Sequence, residues 1–179
     1  MSVFFRKKEL DVDLMLRNVA NAVLDLWVEP MDIKKFYNVS DFGVHVVTDD
    51  NLTHKFFREQ LRFISFVAVA LCLKETGTKE IAVDVIAAIK DEYSRMKIGD
   101  ERGHDDDLGE HVAEYLTARF EGDAKTAGKE VENLFSLGFI GEVPGDERTD
   151  ARYVLYAQLS LLERRSMFAL SRAIKRSYR

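Results

Sequence analysis

Apolar side chains recur at intervals of three and four residues over most of this chain, the spacing that places them on one face of an α-helix. Over residues 10–28 the positions Leu16, Val19, Ala20, Val23, Leu26 and Trp27 form such a face. Glu29 followed by Pro30 predicts its end, because the residue before a proline resists the α region. A longer run carries Leu52, Phe56, Phe57, Leu61, Ile64, Val67, Ala68, Leu71 and Cys72, with Asp49 and Asp50 ahead of it as N-cap candidates and Gly77 as its stop. Thr78 is placed to cap a third helix, striped by Ile81, Val85, Ile86, Ile89, Tyr93 and Met96. Between the first two runs Phe42, Val44 and Val46 alternate as in a short strand. The three helices hold most of the large apolar residues and predict a helical bundle over residues 1–99.

The pattern then changes. Residues 100–106 read as an acidic linker loop, and from Asp100 to Glu114 there are seven acids and one arginine. Asp107 and Glu110 have the spacing of a capping box at the head of a helix with Leu108, Val112, Ala113, Leu116 and Phe120 inward. A short turn at Gly122 leads to a second helix, capped by Asp123, with Ala127, Val131, Leu134 and Phe135 inward. Helix, short glycine turn and helix form the helix-turn-helix pattern. The pair Phe139 and Ile140, a polar loop, and a segment at 152–156 rich in strand formers follow, which together predict a wing. Ala151, Val154, Leu155, Leu159, Leu162, Leu170 and Ile174 also fit one helical stripe, so residues 152–156 are open to either reading. The predicted class is mainly α: an N-terminal helical bundle followed by a winged helix-turn-helix and a C-terminal helix, with residues 107–179 as the second domain.

Residues 134–140, and Asp146, Asp150 and Arg152 with Val154 and Leu155, resemble the end of the recognition helix and the wing of the MarR family of winged-helix DNA-binding regulators. The resemblance covers residues 107–157 and implies a dimeric DNA-binding regulator of transcription.

Charge bears on that expectation. The chain has 179 residues with 26 Lys plus Arg against 31 Asp plus Glu, net −5, which excludes a histone-like basic protein. From Glu163 to Arg179 there are six basic residues and one acid, so the remaining 162 residues carry −10. A hydrophobic fraction of 46% and only two prolines belong to a folded domain and not to a disordered segment. The single cysteine, Cys72, excludes an intrachain disulfide and any multi-cysteine zinc site; its apolar neighbours mark it as a core filler. The first residues lack the apolar stretch of a secretory signal. The longest apolar run, 63–73, is far short of the ~20 residues a membrane helix needs, so it reads as a core helix of a cytoplasmic protein.

No glycine-rich phosphate loop, nucleophile elbow or zinc-protease motif is present. Asp107, His111 and Glu114, at i, i+4 and i+7, place carboxylates and an imidazole on one helix face, a set that suits a metal but is equally a solvated face. No enzyme, catalytic residue, metal or cofactor is therefore predicted. The candidate site is double-stranded DNA contact: Lys125, Thr126, Lys129 and Asn133 toward the major groove, Arg148 and Arg152 on the wing, and Arg172, Lys175 and Arg176 of the terminal stripe on phosphates. The same stripe, which continues to Arg179, fits an acidic partner such as the 100–114 segment, in cis or across a homodimer. A non-enzymatic helical adaptor for a protein partner is the competing reading, motivated by the acidic balance and by Phe4 and Phe5. Ligand sensing by the aromatic-rich N-terminal helices is a third.

Overall fold

The computed structural model describes residues 9–28, 50–96, 106–120, 129, 131 and 148–179. Five helices are formed: α1 Val12–Val28, α2 Asp50–Thr76, α3 Ile81–Arg95, α4 Leu108–Phe120 and α5 Arg148–Lys175. Among the described residues there is no strand, only an isolated antiparallel bridge between Leu10 and Tyr178.

α2 is the central element, touching each of the other four helices. That position explains its sequence. Every residue from Glu59 to Val69 except Arg62 is buried, so this run is enclosed on all sides and not along one stripe. The expectation that residues 63–73 are core is met for 63–69 and Cys72, while Ala70, Leu71 and Leu73 are half-buried; no described helix is long and apolar enough to cross a membrane. Gly77 ends α2 as expected: its φ of 70° lies in the left-handed region and its N–H donates to the Leu73 carbonyl at 2.9 Å.

The stripes foreseen on α1 and α3 face this core, with Val19, Val23, Trp27, Ile81, Val85 and Ile89 all buried. Trp27 closes one end. Its indole Nε1 donates to the Phe57 carbonyl at 2.9 Å, and its rings meet Tyr93 at 5.5 Å.

Four local readings need correction. Thr78 does not cap α3; the helix begins after Glu80 without a side-chain cap, and the Thr78 hydroxyl turns back to Thr76 at 3.2 Å. Met96 is exposed, because it follows the last turn of α3. On α4 the buried face is Leu108, Val112 and Tyr115, while Ala113 and Phe120 are exposed. Tyr115 turns inward because its hydroxyl finds a buried carboxylate, Glu59, which lets a ring with a polar tip be buried.

The largest correction concerns the wing. Residues 148–156 are the opening turns of α5, so a strand at 152–156 is not formed. Strand propensity there is overridden by the stripe that continues downstream, where Leu159, Leu162, Ser166, Leu170 and Ala173 are buried at helical spacing. The expected strand at 42–46 lies outside the described residues, as do the loop at 100–105, the turn at 121–123 and the segment 132–147. Lys129 and Val131 are helical, with Lys129 exposed and Val131 buried as their spacing requires.

α5 ends against the start of α1. Glu9 and Arg179 exchange backbone hydrogen bonds at 3.2 and 3.0 Å, and Asp11 N–H donates to the Ser177 carbonyl at 2.9 Å. The Asp11 carboxylate both caps α1, accepting from Leu14 N–H at 2.9 Å, and meets Arg179 at 2.8 Å. Asn18 Nδ2 donates to Ser177 Oγ at 2.9 Å two turns further on. This clamp fixes α1 and α5 side by side.

Candidate functional site

The contact between α1 and α5 leaves an open cleft of about 460 Å³ along their shared surface. One wall is a stripe of α1 at i, i+3 and i+7: Asn18, Asn21 and Asp25. The other is a stripe of α5, Arg165, Phe168, Arg172 and Arg176, again at helical spacing. Ala22, Ala169 and Ala173 lie between these walls and leave the space unfilled because they end at Cβ. Three arginines thus share one concave surface with the Asp25 carboxylate, a shape in which field lines concentrate. Arg172 and Arg176 have no ion-pair partner among the described residues. Such a set can hold an oxyanion, since each guanidinium presents a planar fork of donors that matches phosphate or carboxylate.

The sequence-derived candidates divide. Arg172 and Arg176 meet in this cleft as the stripe predicts. Lys175 is exposed on α5 but does not line it. Arg179 is drawn into the pair with Asp11 and leaves the stripe. Arg148 and Arg152 belong to the helical backbone of α5, so their assignment to a wing is withdrawn: the segment that would form the wing strand continues the helix instead. Lys129 is exposed on a helical turn, while Lys125, Thr126 and Asn133 lie outside the described residues. Arg165, Phe168 and the whole α1 wall were not among the candidates. The spacing of 165, 172 and 176, i, i+7 and i+11, is the one signal that points to Arg165; nothing in the chain points to Asn18, Asn21 and Asp25 as its neighbours.

A second polar group is buried between α2 and α4. Glu59 pairs with Arg62, and the Tyr115 hydroxyl donates to its other oxygen at 3.3 Å. Burial pushes the Glu59 carboxyl above its ordinary range, against the opposing pull of Arg62, His111 and the Tyr115 hydrogen bond. Burial, with the Glu59 charge, holds the Tyr115 hydroxyl well above its usual value. Tyr115 also stacks on Phe66 at 5.5 Å and meets Phe63 edge-on at 6.0 Å. With Glu59 and Tyr115 both sealed from solvent, this group is a structural tie between helices, not a place for substrate. His111 contacts Glu114 at 3.4 Å, and among the described residues no three of His, Cys, Asp or Glu gather as a metal site. Cys72 is buried, and its thiol is pushed up to about 12 by burial first and by the nearby Glu75 charge second, which suits the expected core filler.

Compared with protein families, with curated proteins and with solved structures, the chain matches none.

Proposed function

We propose that the protein is a cytoplasmic, non-enzymatic DNA-binding protein, a regulator of transcription, whose phosphate contacts come from the arginine-lined cleft of α1 and α5. The observation that carries this reading is the convergence of Arg165, Arg172 and Arg176 on one open concave surface. They span 11 residues of helix, about 16 Å, long enough to follow several successive phosphates of a duplex strand. On this reading the arginine stripe of α5 supplies the backbone contact in place of a wing. The net −5 does not oppose it, since binding responds to the local field of the contact surface.

The test is the salt dependence of duplex affinity, read by fluorescence anisotropy between about 50 and 200 mM salt, the range over which phosphate contacts respond most visibly. Replacing Arg165, Arg172 and Arg176 by Gln is expected to weaken binding and to flatten the slope of log affinity against log salt by about 2.7, roughly 0.9 for each phosphate no longer neutralised. No duplex binding at low salt, or an unchanged slope in the triple variant, refutes the proposal.

A helical adaptor is the second reading, favoured by Leu161 and Phe168, exposed 52% and 73% on one face of α5. Binding of a protein partner through these apolar residues would respond weakly to salt and would be lost in Leu161→Glu with Phe168→Glu.

A further inference from the structure

On the opposite flank of α5 from the arginine cleft lies a second groove, about 550 Å³, between α2, α4 and α5. Its position follows from helix geometry: Glu163 and Met167, one turn apart, lie on the far side of the buried stripe from Arg165, Arg172 and Arg176. The lining is apolar, built by Phe66, Ala70 and Leu73 of α2, Phe120 of α4 and Met167 of α5. Phe120 is 65% exposed and Met167 46%, so the groove lies open to water. Around the apolar floor stand Lys74, Lys79 and Arg119, against the single acid Glu163. None of the three cations has an ion-pair partner among the described residues.

We infer that this groove is a binding site for a free straight-chain carboxylate, an amphiphile whose alkyl chain lies on the apolar floor and whose carboxylate meets the cationic rim. The volume falls within the range of small-ligand sites, which are mostly apolar with a few polar groups that orient the ligand. An inorganic anion would leave the floor wet, and a neutral hydrocarbon would leave the three cations unused. An excess of two positive charges beside a strip of alkyl and aromatic surface matches one anionic head on one apolar tail. The site shares no lining residue with the arginine cleft, so this inference stands or falls separately from DNA binding.

Isothermal titration of the full chain with octanoate, decanoate and dodecanoate, each below its micelle concentration, tests it. One-site binding is expected, tightening by about 15-fold for every two methylenes that reach the floor. Ala70→Phe, which fills the half-buried centre of the floor, is expected to abolish binding; Met167→Glu, at a more exposed position that tolerates a polar residue, serves where Ala70→Phe lowers stability. Lys74→Gln with Arg119→Gln is expected to weaken dodecanoate about fivefold while leaving dodecanol unchanged. Dodecyltrimethylammonium is expected not to compete. Affinity that ignores chain length, binding that survives both groove variants, or equal affinity for the cationic amphiphile overturns the inference. Co-sedimentation with phosphatidylglycerol vesicles without binding of free dodecanoate overturns it in favour of a bilayer surface. Concentration-dependent dimerisation abolished by Ala70→Phe, again without dodecanoate binding, overturns it in favour of a second copy.

Discussion

The clamp at Asp11 gives the most sharply divided prediction. One carboxylate does two jobs there: Oδ1 accepts from Leu14 N–H at 2.9 Å as the N-cap of α1, and Oδ2 meets the Arg179 guanidinium at 2.8 Å. The two contributions differ in size. An N-cap replaced by Ala costs about 1 kcal/mol. The ion pair involves a largely exposed arginine, its side chain 71% accessible, so it is worth only about 0.2–1 kcal/mol. Asp11→Ala is therefore expected to cost about 1–2 kcal/mol in urea unfolding, seen as a lower midpoint at constant slope. At this chain length the change corresponds to about 2–8 °C in Tm. Asp11→Asn keeps the cap and loses only the charge, so it is expected to cost less than half as much, close to Arg179→Ala. In the double variant Asp11→Asn with Arg179→Ala, the two costs should not add. If Asp11→Asn proves as damaging as Asp11→Ala, the ion pair and not the cap holds this end together, and the partition is wrong. Because the same clamp aligns the walls of the arginine cleft, Asp11→Ala is also expected to weaken duplex binding even though Asp11 does not line that cleft.

Two further outcomes follow from the buried groups. Glu59 titrates higher in the folded chain than unfolded, so the native state keeps a proton that the unfolded state has released, and stability falls as pH rises from about 4.5 through the native value. Glu59→Gln removes that dependence; its stability relative to the natural chain should rise with pH across this window, with a slope of at most about 1.4 kcal/mol per pH unit, and a flat difference between about pH 4 and 8 counts against it. Cys72 is expected to resist iodoacetamide at about pH 8 in the native state and to react only on unfolding, since the attacking thiolate is scarce at a thiol pushed up to about 12 and the site is closed; rapid native labelling would show that α2 opens locally.

How far the chain can be read without its fold depends on the range over which each signal acts. Helix positions, the stop at Gly77, the inward stripes of α1 and α3 and the inert setting of Cys72 are all legible, because they depend on spacing within a few turns and on local backbone chemistry. The second half of the basic stripe, Arg172 and Arg176, is legible for the same reason. At 152–156 the local signal is divided: Val154 and Leu155 fit both a short strand and the helical stripe that runs on to Ile174, and it is packing of that stripe against α1 and α2 that decides for the helix from Arg148. The inward turn of Tyr115 depends on Glu59, 56 positions earlier. The α1 wall of the cleft depends on a terminus 159 residues away, with Asn18 reaching Ser177. Periodicity assigns a residue to a face, since that follows from a helix's own geometry. Which face meets which, and whether two stripes close into a core or leave a charged cleft, is set by the mutual burial of distant segments, and only the tertiary structure decides it.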